Sequence, residues 1–344
     1  MKIQARTLLI VLMLLVIGLY AGYRFILGEA EVPRSIGKDF HVQIPSNATF
    51  DEVVAVLKKE GVVRKETIFR NVAERMGYRQ DPMRSGRYKI EPGWSVIQLV
   101  RHLRGGEQAP VKVILTTERT LEEVAAKVSR FIEPDSQSLK TLFFDEIYLS
   151  KIGYNIDNLM TVFIPNTYEV YWNLSPEAFM ERMLLEHKNF WKQNNRLAKA
   201  KAMGMTPEEV YTLASIVEKE TLSNSEKPTI AGTYLNRIKI GMRLQADPTV
   251  VFATRDFTTK RVTNYHTSFD SPFNTYMYAG LPPGPIAMAS ITSIDAVLNH
   301  DKHNYTYFCA VGDGSGLHAF AETYDQHLGN VRTYVKNLEA RGLR

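Results

Sequence analysis

The sequence predicts an α+β protein: an N-terminal transmembrane helix, a small α/β module and a larger mixed α+β domain. Three observations predict it. Seventeen residues without a charge follow a basic start. One strand-turn-helix pattern then recurs three times before residue 135. Beyond residue 136, longer helices lead into Gly- and Pro-rich loops and a late strand. A length of 344 residues accommodates one large domain or two to three of ordinary size. The formal net charge of +5 comes without any dense Lys/Arg run, so nucleic acid is not an expected partner.

Lys2 and Arg6 precede "TLLIVLMLLVIGLYAGY", and Arg24 with "FIL" follows. The run is close to the length a helix needs to cross a hydrocarbon core. Its basic leading side predicts a cytoplasmic N-terminus, which puts the rest of the chain on the far side of the inner membrane. A cleaved signal peptide, processed near Gly28-Glu29-Ala30, is the competing reading. The run is longer than a usual signal core, and Arg24 interrupts the approach to that site. Residues 1–30 are assigned to a cytoplasmic tip and anchor.

The three strand-turn-helix units start at Val42, Tyr88 and Val113. Each helix opens on a capping box: Thr49 with Glu52, Ser95 with Gln98, Thr120 with Glu123. Val53, Val56 and Leu57, or Leu121, Val124 and Val128, then follow helical spacing. Spacings of 46 and 25 residues between the starts are too uneven for a solenoid. Residues 31–135 are therefore expected to form one or two small modules, with short paired strands covered by helices.

In residues 136–344, "SPEAFMERMLLEHKNFWKQNNRLAKAKAMG" opens on Ser175 and Pro176, as a helix start does. "TPEEVYTLASIVEKETL" repeats the device, with Thr206 and Glu209 as a capping box, and Gly241 closes the next helix. "LQADPTVVFA" and "YAGLPPGPIAMAS" read as loops, and "YTYFCAVG" as a strand. Cys309, the single cysteine, excludes an intramolecular disulfide. The apolar alternation around it reads as a strand with Cys309 half or fully buried, and no His or charge adjoins it to lower its pKa as a catalytic thiol needs.

The chemistry concentrates in "LASIVEKET". On a wheel of about 100° per residue, Val210, Leu213, Ala214, Val217 and Thr221 share one face. Lys219 points away into solvent, and Glu218 and Glu220 flank the apolar stripe. Periodicity does not choose between the two glutamates. Later loops carry amides, hydroxyls and aromatics on backbone stiffened by Pro and Gly, which suits a sugar cleft: "FIPNTYEVYW", "RLQADPTV" and "SPFNTYMYAGLPPGPI". His300 and His303 lack a third ligand at a recognisable spacing, and no HExxH occurs, so no metal is expected. His318 lines a cleft or caps a hairpin. No nucleophile elbow, Walker loop or dinucleotide fingerprint is present, and no cofactor is expected.

"IVEKET", "IAGTYLNRIKIGMRLQADPTVVF", "NTYMYAGLPPGPIAMASITSI" and "YTYFCAVGDGSGLHAF", in that order and spacing across residues 162–325, resemble the endolytic murein transglycosylases of the MltG/YceG-like family. The resemblance implies a single-pass anchor, a LysM-like module and a YceG-like catalytic domain acting on peptidoglycan glycan strands. It implies Glu218 as the catalytic residue, acid first and base second, and association with peptidoglycan synthases of the elongation or division machinery. It implies cleavage between MurNAc and GlcNAc that leaves 1,6-anhydroMurNAc ends and limits strand length. Gln245, Asp247, Asn274, Thr275 and Tyr276 are the candidates for holding the sugar. Two positions depart from the family: Asn166, where an acidic residue is commoner, and Met288, where Asn or Thr often follows "GPIA". Asn166 puts in doubt any scheme that needs a second carboxylate there. The alternatives are a hydrolase pairing Glu218 with Asp247 or Glu220, and a non-catalytic glycan-binding scaffold.

Overall fold

The structure, a computed structural model, describes residues 2–27 and 30–343, with side chains from 7–21 and 30–343. The α+β class expected from the sequence is the class observed. The elements in order are α1 (Lys2–Leu27), β1 (His41–Ile44), α2 (Phe50–Lys59), α3 (Glu66–Arg75), β2 (Gly86–Lys89), α4 (Val96–Gly105), β3 (Val111–Leu115) and α5 (Leu121–Val128). Then come α6 (Ser136–Phe143), α7 (Glu146–Lys151), β4 (Asn166–Val170), α8 (Pro176–Lys192), α9 (Arg196–Ala202), α10 (Pro207–Glu220), α11 (Lys227–Lys239) and α12 (Asp247–Thr254). The chain ends with α13 (Asn264–Thr267), α14 (Ile291–Leu298), β5 (Tyr307–Ala310), β6 (His318–Ala321) and α15 (Tyr324–Ala340). Among the described residues the strands form three two-stranded sheets, β1-β2, β3-β4 and β5-β6.

α1 carries a run of exposed apolar side chains from Leu8 to Tyr20. Among the described residues no helix is long and apolar enough to cross a membrane. The flanks of the expected anchor, residues 1–6 and 22–29, lie outside the described side chains.

Two compact units divide the chain. The first takes residues 1–112 with 131–133 and 169–174; the second takes 113–130, 134–168 and 175–344. Beyond α1, the first unit runs β1-α2-α3-β2-α4. Its strands pair antiparallel, Val42 opposite Tyr88 and Ile44 opposite Gly86. Val53, Leu57, Phe69, Leu99, Val100 and Leu103 pack beneath them, fully buried. The capping boxes of α2 and α4 are complete. The third box is half made: Thr120 accepts from Glu123 N–H, but the Glu123 carboxylate turns to the Arg119 N–H at 2.7 Å. Its helix, α5, belongs to the second unit.

In the second unit the segment starting at Ser175 is two helices. Asn194 and Asn195 adopt left-handed backbone (φ 54° and 57°), which asparagine tolerates, and the chain turns there. "LQADPTVVFA" is not a loop: α12 starts at Asp247, with Pro248 in the first turn, where a missing N–H costs nothing. "FIPNTYEVYW" likewise contains a strand, β4. The core is built around α10, which is buried on every side from Val210 to Val217. Tyr211 donates to the Phe163 carbonyl (2.7 Å) and accepts from Ala289 N–H (3.1 Å), while Ser215 accepts from Ile286 N–H (3.0 Å). These bonds fix the Pro-rich loop along α10. Gly284 is required there, because a Cβ would fall 1.9 Å from the Asp157 carbonyl oxygen.

Candidate functional site

All residues that matter lie in the second unit, at the C-terminal end of α10. Glu218 and Glu220 leave that end toward different partners. Glu218 Oε2 accepts from Ser290 Oγ (2.5 Å), Ser293 Oγ (2.5 Å) and Lys227 Nζ (3.0 Å). Ser290 caps α14 and Lys227 opens α11, so the carboxylate joins three helices. Lys227 is 5% exposed and Glu218 15%. Burial works to raise the Glu218 carboxyl, but the two hydroxyls and the ammonium outweigh it, and the net shift is downward. Glu218 is a carboxylate held ionised.

Glu220 has the opposite environment. Burial is the largest influence and raises its carboxyl to about 7. The Tyr234 hydroxyl, 2.6 Å away, donates to it and opposes the rise. Asp247 adds to the rise, and Arg237 pulls against it. Burial also keeps the Tyr234 phenol well above its ordinary range, so it remains a donor. Glu220 therefore keeps a proton near neutral pH.

Glu220 lines a cavity of about 260 Å³ with Asp247, Lys219, Arg119, Phe252 and Phe257. A second cavity of about 220 Å³ shares Arg119 and Phe252 with it. Lys219 is thus not in open solvent. α10 is surrounded, so the wheel's polar side is also covered, and burial lowers the Lys219 ammonium.

Of the sugar-holding candidates, Asp247 and Tyr276 meet near Glu220: Tyr276 donates to Asp247 Oδ1 at 2.5 Å. Gln245 is exposed two residues before Asp247, on left-handed backbone (φ 50°), with its N–H bonded to the Thr275 carbonyl (3.0 Å). That conformation is strained for glutamine and is held by the loop around it. Asn274 and Thr275 lie beneath the loop surface. Asn274 is fully buried, donating to the carbonyls of Thr267 and Phe269 and accepting from Tyr276 N–H. Thr275 Oγ1 meets Ala246 N–H (3.0 Å) and Thr249 Oγ1 (2.8 Å). Their polar groups are satisfied within the protein, and both clamp the turn that presents Asp247 and Tyr276. Asn166 stands at a different pocket, of about 150 Å³, with Tyr168 and Arg196.

Lys227, Ser290, Ser293 and Tyr234 escaped sequence reasoning. The serines are 72 and 75 residues from Glu218, and no local pattern links them. Tyr234 stands 14 residues from Glu220 on the next helix, where it reads as an ordinary aromatic. The other singled-out residues are engaged elsewhere. His318 bonds Glu226, His303 bonds the Thr229 carbonyl, and burial raises the Cys309 thiol, away from thiolate chemistry.

Comparison with known proteins places the chain among its relatives. The chain is 27% identical over 317 residues to the endolytic murein transglycosylase of Bacillus subtilis (strain 168), covering 86% of this chain and 85% of that protein. It is 26% identical over 362 residues to the endolytic murein transglycosylase of Streptococcus pneumoniae serotype 2 (strain D39 / NCTC 7466), covering 96% of this chain but only 64% of that longer relative. A crystal structure of a YceG-like protein from Listeria monocytogenes superposes with a TM-score of 0.55 at 25% identity, over 85% of this chain and 99% of that one. The model of the YceG-like family matches residues 42–333, most of the sequence, and the chain belongs to that family.

Proposed function

We propose that this chain is a membrane-anchored endolytic murein transglycosylase in which Glu220 transfers the proton. The reading rests on one observation: Glu220, bonded by the Tyr234 hydroxyl, stands with Asp247 at the wall of an open cavity, and its burial there favours the protonated acid. The acid donates its proton to the oxygen joining MurNAc C1 to GlcNAc C4, and the C1–O bond breaks. The Glu220 carboxylate left behind takes the proton of the MurNAc C6 hydroxyl, whose oxygen bonds to C1. One C–O bond is exchanged for another, no water enters, and a 1,6-anhydro end results. The nucleophile belongs to the sugar itself, which supplies the advantage of an intramolecular step. Asp247, held by the Tyr276 hydroxyl, is placed to face the positive charge that develops at C1.

Glu218 then acts as a positioning residue, tying the end of α10 to α11 and α14. The resemblance assigns the acid to Glu218 instead, and anhydro ends lost in Glu218→Gln but kept in Glu220→Gln would restore that assignment. The three donors to Glu218 stabilise the charged form and work against proton donation. The exposed apolar run of α1 supports anchorage in the inner membrane, with the remainder of the chain extracytoplasmic. The β1-α2-α3-β2 arrangement, with its antiparallel pair, supports a LysM-like module. Cutting within strands at the membrane fits a role in limiting strand length beside the synthases of elongation or division.

The proximity of Asp247 to Glu220 favours one second reading, a hydrolase using two carboxylates. Mass spectrometry of fragments released from purified peptidoglycan decides. Anhydro ends from wild type, and none from Glu220→Gln, are expected; reducing ends would establish the hydrolase.

A further inference from the structure

The cavity that Glu220 lines holds two cations that no acid pairs with. Among the described residues neither the Arg119 guanidinium nor the Lys219 ammonium has an ion-pair or hydrogen-bond partner. Arg119 is fixed over the Phe257 ring, 4.7 Å from its centroid. The nearby acids are committed elsewhere: Asp247, on the same cavity wall, to Tyr276 (2.5 Å), Glu123 to the Arg119 N–H (2.7 Å), Glu118 to Thr116 (2.6 Å) and Lys127 (3.7 Å), and Glu218 to Lys227, Ser290 and Ser293. The pair does not serve the acid either, since the charges that act on Glu220 are Asp247 and Arg237. Arg119 repels Lys219 and adds to the lowering of its ammonium, while Glu218, Glu123 and Glu118, none of them ion-paired with it, pull the other way. An incoming anion relieves that repulsion.

We propose that Arg119 and Lys219 form an anion site that reads a carboxylate on the muramyl sugar at the scissile bond. The inference rests on the murein-cleaving function proposed for Glu220. In murein two groups carry such a charge near that bond: the lactyl carboxylate of a sugar stripped of its peptide, and the acidic side arms of the peptide itself. The guanidinium fork suits a carboxylate, and the neighbouring ammonium supplies a second, mobile donor. A neutral glycan has nothing to offer either group.

The test uses the full-length chain in detergent and two glycan probes, peptide-bearing and amidase-stripped, each also with its carboxyls converted to neutral methylamides. Binding is measured by calorimetry, cleavage by mass spectrometry. Masking is expected to weaken wild-type binding about tenfold, as loss of a charge-assisted hydrogen bond does. Arg119→Gln and Lys219→Gln each lose about as much on unmasked probes and become indifferent to masking, while Lys219→Arg recovers both. Dependence confined to the stripped probe identifies the lactyl group, and dependence confined to the peptide-bearing probe identifies the peptide arm. Equal wild-type binding of masked and unmasked probes overturns the proposal, as does an unchanged masking penalty in both Gln variants. Because binding is read apart from turnover, a wild type that binds but never cleaves counts against the murein-cleaving reading alone.

Discussion

Glu220→Gln is expected to stabilise the protein at alkaline pH while removing its activity. The folded chain holds the Glu220 proton up to about 7, and an unfolded chain releases it near the ordinary 4.5. Between those values the folded state binds more protons, so its stability falls as pH rises through the window. At about 1.4 kcal/mol per pKa unit the full penalty above pH 7 is about 3 kcal/mol. Solvent at the cavity rim makes this a ceiling. Glutamine cannot ionise, and its carbonyl still accepts from the Tyr234 hydroxyl. Melting followed by circular dichroism from pH 4 to 8.5 should show wild type and variant nearly equal at the acid end. The variant should gain at most about 4–6 °C at the alkaline end. A constant offset across that range, or a variant less stable at pH 8.5, would refute the assignment of Glu220 as a buried neutral acid.

Tyr234→Phe removes a bond to the Glu220 carboxylate and should move the alkaline limb of kcat/KM upward; Asp247→Asn removes a repelling charge and should move it downward. Shifts in the same direction would show that neither group acts through Glu220. Glu218→Gln strands the buried Lys227 ammonium and should cost about 3 kcal/mol in urea unfolding at pH 7, with much of the loss recovered by adding Lys227→Met. Because Glu218 is held below its ordinary range, the stability it contributes is present above 4.5 and is lost as pH falls through its folded value. Asp295→Ala should cost about 3 kcal/mol, since it removes both bonds (2.7 and 2.9 Å) from the buried Arg196 guanidinium.

How much of this was legible in the sequence depended on whether the signal was local. Thr49, Ser95, Ser175 and Thr206 marked helix starts because a cap is written within four residues of the helix it serves. The strand around Cys309 was legible from its neighbours in the same way. α12 was missed because Asp-Pro serves a turn and a helix start equally well. The wheel of α10 found both glutamates but misplaced Lys219, because a helix covered on all sides has no solvent face to read. Nor was the difference between the glutamates written near them: Ser290, Ser293 and Lys227 ionise one, while Tyr234 and Asp247 face the other from separate elements. Asn274 and Thr275 sat in the right loop with the wrong role, since sequence shows that an amide is present and not which way it is satisfied.

The central claim is that the proton comes from a carboxyl near pKa 7 and not from one held ionised. The most direct test is the pH dependence of kcat/KM for release of anhydro-ended fragments by the wild type. A limb falling tenfold per pH unit above about 7, moved by Tyr234→Phe and Asp247→Asn in opposite directions, is the predicted result. Activity that already falls above pH 4.5, or a limb that neither substitution moves, would contradict it.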